Sequence, residues 1–322
     1  MTLAARGILR AIGLLLSAVA VVWISTRFAK SGAFDLLAQE SVSRGALVAS
    51  LAALAAAYSA AAVFLAFAWW QLIAALAPGH RVPATPTMAA YAVSQYGKYL
   101  PGNVAHYAIR HAWIRRYGIP HASLGLATML EAALLVLSAL ALTLLGDTRG
   151  LRALSIIDTR VALALLVAAL VVTGLVILIL RNVGARNRLR LPSFPLPALL
   201  GCVACYCGFF VAAAACLDGL AHALAIPVAS FSLLLAASAA SWLAGFLVIG
   251  APGGLGVREA AFVALTGAAL GETRALLLIG LFRIVTFLGD TLLFAGGALV
   301  ARTGGRAAEP ERAPSARSGE AP

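Results

Sequence analysis

The sequence predicts an all-α polytopic membrane protein made of two inverted repeats, each with three transmembrane helices and one re-entrant segment broken at a Pro-Gly pair. Composition supplies the first observation. Of the 322 residues, 62% are hydrophobic and 11% charged, whereas soluble domains run nearer half apolar and a quarter charged. The second is a duplication. Gly97-Lys98-Tyr99-Leu100-Pro101-Gly102-Asn103-Val104 has a partner in Gly250-Ala251-Pro252-Gly253-Gly254-Leu255-Gly256-Val257-Arg258-Glu259, with the two prolines 151 residues apart, close to half the chain. Helix breaks in corresponding positions of two halves are the mark of inverted-repeat transporters. The third observation is how the basic residues cluster, which sets orientation.

In chain order, Arg6 and Arg10 precede an apolar run that continues through Trp23 to Phe28. It would suit a signal peptide, but further spans follow and its length favours an uncleaved first helix. A second run extends from Gly45 to Ala77, ended by Pro78-Gly79-His80-Arg81. The segment from Pro86 to Val104 is short and polar for a lipid-facing span. Behind it lies a stretch with Arg110, Arg115 and Arg116 and no acid. Clean spans are expected at Ala122 to Leu145, Val161 to Leu180 and Ala198 to Ala225, with Arg181, Arg186, Arg188 and Arg190 forming a second basic loop. The run Val228 to Ile249 enters the second motif. Ala260 to Leu270 follows it, Gly271-Glu272-Thr273-Arg274 reads as a turn, and Ala275 to Ala301 is the last span. The tail, 304–322, has the composition of a disordered segment, leaving 1–303 as one integral membrane domain with repeats about 6–155 and 156–303.

The formal charge of +12 reports orientation and not nucleic-acid binding, because no polar domain is present to display such a surface. With the N-terminus cytoplasmic, a full crossing at Pro86 to Val104 would put the strongest basic loop outside. Entry and return of that segment on the cytoplasmic side removes the conflict. The second motif must then enter and return from outside, so both termini are cytoplasmic and the halves antiparallel. Non-helical backbone at membrane depth belongs in protein or against a wet cavity, so the two breaks point to a shared central site.

Ionisable residues at that depth are costly and mark function or pairing. The candidates are Lys98, Glu131, Arg258, Glu259, Arg283 and Asp290. Glu131 lies 30 residues after Pro101 and Arg283 lies 31 after Pro252, so the sequence suggests that these two meet near the midplane. Arg283 and Asp290 share a helix face. Plainer readings are a structural ion pair for Arg283 with Asp290 or Glu131, solvated interface-level residues for Arg258 and Glu259, and a snorkelling side chain for Lys98. His106 and His111 read as head-group contacts, and Trp69-Trp70 as an interfacial belt. Cys202, Cys205, Cys207 and Cys216 share one apolar run; their spacing does not converge on one helix face, so no metal site is expected. No hydrolase, metalloprotease or ATPase motif is present.

The two Pro-Gly motifs together resemble the signature segments of the lysylphosphatidylglycerol synthase transmembrane-region family, flippase-like membrane proteins; the resemblance covers essentially Arg6 to Arg302. Members often carry Glu-Arg in the helix after the first motif; here Glu131 matches and Ala132 replaces the Arg. The soluble aminoacyl-transferring domain of the bifunctional enzyme is not in this sequence, so the resemblance implies lipid translocation without lipid aminoacylation and without a cofactor. It implies a substrate site at Lys98, Tyr99, Pro101, Gly102, Asn103, Arg110, Pro252, Gly253, Gly254, Arg258 and Glu259, with Glu131, Arg283 and Asp290 as intramembrane charges. The expected substrate is an anionic phospholipid or polyprenyl-linked lipid in a bacterial inner membrane. Homo-oligomers and lipid-glycosylation partner proteins remain open as partners. Two further classes stay open: a membrane enzyme or subunit acting on lipid-linked sugars, and an ion-coupled carrier using Glu131 or Asp290.

Overall fold

The computed structural model describes residues 43–100, 104–146, 196–248 and 252–306, with positions 22, 26, 30 and 32 before them. These residues form eight α-helices and two short 3-10 turns, with no strand among them. The helices are α1 (Arg44–Leu76), α2 (Ala84–Ser94), α3 (Ala105–Arg115), α4 (His121–Leu145), α5 (Leu196–Ala223), α6 (Phe231–Leu247), α7 (Val257–Leu270) and α8 (Glu272–Arg306). Four of them, α1, α4, α5 and α8, are long and apolar enough to cross a membrane. The expected first helix, the span Val161 to Leu180, the loop Arg181 to Arg190 and Pro101-Gly102-Asn103 lie outside the described residues. So does most of segment 304–322, although α8 continues to Arg306.

Local chemistry explains where the elements begin and end. Ser43 caps α1, its hydroxyl accepting from the Ala46 amide at 3.1 Å, and Ser230 caps α6 by accepting from Leu233. The expected four-residue turn at Gly271 to Arg274 is only one residue long. Gly271 alone leaves the helical region (φ +82°), and Glu272 already sits in the first turn of α8, where an acid suits the positive end of the helix dipole.

The long helices are apolar on all sides, as expected of helices packed by protein on one face and lipid on the other. Phe64, Phe67, Ile284, Phe287 and Leu292 are exposed on the outside. Inside, α1 packs on α5 and on α8. Association between such helices rests on close van der Waals packing, which small residues permit. Gly289 is one such point: a Cβ there would lie 2.7 Å from the Tyr58 ring and 2.9 Å from the Ala55 carbonyl oxygen.

Residues 44–145 and 196–306 repeat one order of elements: long helix, shorter helix, 3-10 turn, short helix, long helix. The contacts between them are reciprocal. The second helix of each stretch, α2 or α6, packs on the last helix of the other, α8 or α4. The 3-10 turns Gln95–Tyr99 and Pro252–Gly254 touch, and a Cβ on Gly253 would stand 3.3 Å from the Tyr99 ring.

Gly289→Ala should therefore lower the melting temperature in detergent, at an overpacking cost of about 1–3 kcal/mol. Gly296→Ala, where a Cβ meets nothing within 4 Å, should leave it unchanged or raise it, the helix gaining up to about 1 kcal/mol.

Candidate functional site

Among the described residues the interior of the helix bundle holds three ion pairs and one cation without a carboxylate partner. In the first half, α3 carries Arg110 inward and α4 carries Glu131 to meet it. The guanidinium engages both carboxylate oxygens, in the bidentate geometry that suits arginine. Both residues are buried. Three aromatic rings complete the enclosure, their centroids 4.5 Å (Trp69), 4.9 Å (Tyr91) and 4.8 Å (Tyr107) from the Arg110 guanidinium carbon, within cation–π range.

This corrects two expectations. Arg110 is sealed between helices and not displayed in a basic loop, where only its neighbours Arg115 and Arg116 reach the outer side of α3. Trp69 is fully buried against Arg110 and not interfacial, while the half-buried Trp70 donates to the Val82 carbonyl at 3.2 Å. Glu131 thus takes its cation from α3, although Ala132 stands at the position beside it.

The second half repeats the arrangement with the charges exchanged. Glu259 on α7 pairs with Arg283 on α8, and Arg283 also donates to the Gly253 carbonyl oxygen at 3.2 Å. Glu131 and Arg283, expected to meet, are each occupied within their own half. The spacing from the prolines located both charges correctly on equivalent helices, but each is held by the short helix next to its break.

The third pair joins the halves. Lys98 Nζ lies 2.7 Å from Asp290 Oδ2, and the Tyr99 hydroxyl donates to the same oxygen at 2.5 Å. One residue further along α8, Thr291 shares a 2.6 Å hydrogen bond with the Tyr96 hydroxyl, and Tyr96 packs edge-on against Phe294. Asp290 faces the first break and not Arg283. The break is compact because Gly97 has no side chain: a Cβ there would come within 2.6 Å of the His106 amide nitrogen.

Arg258 is the remaining cation. Among the described residues it meets no carboxylate within ion-pair distance, and its Nε is buried without a hydrogen-bond partner. Its stem packs against Gly245 and Gly254, where added Cβ atoms would lie 2.4 Å from Arg258 Cγ and 2.7 Å from its Nε. The half-buried head stands 5.7 Å from the Trp242 ring and lines a cavity of about 50 Å³ together with Arg283, Ser238, Ser241 and Thr286. Glu259 Oε2 is also buried without a hydrogen bond.

The other candidates fall elsewhere. His106 is half-buried and stacks on Tyr107. At the outer end of α3, His111 Nε2 lies 2.8 Å from His121 Nδ1. Partial burial, then His121 and Arg115, hold the His111 imidazole below its ordinary pKa. Cys202 and Cys216 are buried and direct their thiols toward the Ala68 and Leu54 carbonyls of α1. Among the described residues no three His, Cys, Asp or Glu side chains gather closely enough to hold a metal.

Comparison with known proteins gives one family-level match: the family model described as "Lysylphosphatidylglycerol synthase TM region" matches residues 10–293. No curated protein matches the sequence.

Removing one member of a buried pair strands the other charge, a loss of about 3–5 kcal/mol. Arg110→Met and Glu131→Gln should therefore each lower the melting temperature sharply, and the exchange Arg110→Glu with Glu131→Arg should recover part of the loss. A double-mutant cycle on Arg110 and Glu131 should show strong coupling. The same cycle on Glu131 and Arg283, which do not touch, should be close to additive.

Proposed function

We propose that this chain, which belongs to the lysylphosphatidylglycerol synthase transmembrane-region family, is a transporter and not an enzyme, moving an anionic phospholipid or polyprenyl-linked lipid between the leaflets of a bacterial inner membrane. The observation that carries this reading is the contact between the 3-10 turns Gln95–Tyr99 and Pro252–Gly254, surrounded by ionisable side chains within a multi-pass membrane protein. A polar head must pass about 30 Å of hydrocarbon, and a protein lowers that barrier by offering charge and polar backbone at depth. The breaks place both there. The Pro252–Gly254 turn presents its Gly253 carbonyl to Arg283, and the turn ending at Tyr99 presents Lys98 to Asp290.

The inverted-repeat reading is part of the proposal. It is supported by the repeated order of elements, by the reciprocal packing of α2 on α8 and α6 on α4, and by charge-exchanged ion pairs on equivalent helices. Helix lengths support re-entry. With 11 residues, α2 reaches roughly 16 Å at 1.5 Å per residue, about half the hydrocarbon thickness. In this arrangement the Lys98–Asp290 pair is a removable link between the first break and the last helix, while the two intra-half pairs hold each break to its own scaffold. Both termini are cytoplasmic.

Purified full-length chain in liposomes should move head-group-labelled anionic lipid between leaflets, and Lys98→Gln or Asp290→Asn should slow this at least tenfold while the protein stays folded in detergent. Turnover of a lipid-linked sugar, or uptake of a solute without lipid movement, would replace this reading. Topology gives a separate check. In a background without the native cysteines, Arg115→Cys should be labelled only from the cytoplasm and Glu272→Cys only from outside; labelling from one side would remove the inverted repeat.

A further inference from the structure

The ion pairs divide the membrane-depth cations unequally. Lys98, Arg110 and Arg283 are each matched by a carboxylate within contact distance. Among the described residues Arg258 is not, and an unmatched charge in such surroundings is expensive to keep. Yet its position is built with care. Two glycines that lie against each other, Gly245 in α6 and Gly254 in the Pro252–Gly254 turn, leave the space its stem occupies. Gly254 is held at φ +70°, a conformation that favours glycine for a second reason.

What the head lines narrows the chemistry. The cavity holds about 50 Å³, room for a few water-sized groups such as the oxygens of one phosphate. Two guanidiniums border it. One, Arg283, is already neutralised by Glu259, so the walls carry a net positive charge. Ser238, Ser241 and Thr286 add hydroxyls that now donate to the carbonyl oxygens of Leu235, Ser238 and Arg283. A hydroxyl proton rotates to suit its acceptor, so each can turn from its helix toward an anion. The remaining wall is largely aromatic and aliphatic, with Trp242 beside Arg258. A cation with a planar fork of donors, set in apolar surroundings and served by swivelling hydroxyls, matches the oxygen array of a phosphate ester.

We infer that Arg258 and this cavity form a binding site for the phosphate group of a lipid, present in the second half of the molecule and without an equivalent at Arg110 in the first. The inference rests on the lipid-transport reading and sharpens it. Arg258 receives the head group, and Lys98 serves the link to Asp290.

Full-length protein in detergent should be titrated with short-chain phosphatidylglycerol, short-chain phosphatidylcholine and inorganic phosphate, reading the melting temperature, which a ligand of the folded state raises. Phosphatidylglycerol should give a saturable rise, larger than that from phosphatidylcholine. Arg258→Met should weaken its binding at least tenfold, and Arg116→Gln, which removes an exposed cation on α3, should not. Gly245→Ala keeps the charge but intrudes on the Arg258 stem, and should also weaken binding. The ligand-free melting temperature separates a binding cation from a structural one: Arg258→Met replaces an unmatched charge with an apolar group and should keep or raise it, the reverse of Arg110→Met. Competition of inorganic phosphate with the lipid supports the phosphate chemistry and shows that the group binds without its lipid; a lipid-only response supports the site and assigns it to the head group in its bilayer context. Phosphatidylglycerol binding unchanged in Arg258→Met, equal binding of the two lipids, or a loss of ligand-free stability comparable to that of Arg110→Met would each overturn the inference. Binding without translocation in liposomes would remove the transport reading and leave the site. Translocation that survives while Arg258→Met leaves binding untouched would remove the site alone.

Discussion

Matching of charge inside the helix bundle is the constraint on which the rest of this structure depends. A single buried ion left without its partner costs about 3–5 kcal/mol, and the chain places a charge on each of the elements beside its two 3-10 turns. Arg110 with Glu131 ties α3 to α4, Glu259 with Arg283 ties α7 to α8, and Lys98 with Asp290 ties the first break to the last helix. The short helices need these ties. An isolated segment of 11 or 14 residues, the lengths of α3 and α7, is marginal as a helix in water. In lipid it must also satisfy the backbone groups freed at its ends. The charge that looks like a liability in the sequence is what fixes the short helix to a long one.

The same pairs show where sequence reasoning was strong and where it stopped. The four long helices were legible because an uninterrupted apolar run has few alternative fates: α1, expected from Gly45 to Ala77, spans Arg44–Leu76, and α4, expected from Ala122, starts one residue earlier at His121. The second Pro-Gly motif located the turn at Pro252–Gly254, since proline and positive-φ glycine interrupt a helix through backbone sterics that need no tertiary information. Pairing was a different matter. Arg110 sits among Arg115, Arg116 and two histidines, and counting basic residues assigns the whole stretch to a loop. Only the rotation of α3 separates it from them, turning Arg110 to the Trp69, Tyr91 and Tyr107 rings while Arg116 stays outside. Its distance of 21 residues from Glu131 exceeds any local rule. One signal was present all the same: a helix of this polarity, lying between two apolar spans, has one buried face, and a charge on it needs a partner from an adjacent helix.

The two halves use one plan with opposite signs. Cation on the short helix and anion on the long one in the first half become anion and cation in the second. For the backbone this exchange is neutral, because either order neutralises the pair. For the surroundings it is not. Arg110 spends its charge on Glu131 and its faces on three aromatic rings, which leaves no approach for a third group. In the second half the long helix supplies the cation, so the short helix is free to carry another beside its acid.

That second cation follows from the doublet Arg258-Glu259. Adjacent residues on an α-helix point about 100° apart, at 3.6 residues per turn, and do not face one another. Glu259 therefore turns to Arg283 on α8, while Arg258 turns to α6, where Gly245 leaves room for its stem and Trp242 flanks its head. The doublet looks self-neutralising in the sequence and is not so in the fold: one member completes a structural tie and the other remains a cation at a cavity. A single helical turn next to the Pro-Gly break thus couples the scaffold to an open charge. Rotating α7 by one residue, in the sense that puts Glu259 where Arg258 now stands, would turn the acid toward the cavity and carry Arg258 away from it. The helix register, set by the glycines at 253, 254 and 256 with their positive φ angles, is therefore what selects an anion over a cation at this point in the molecule.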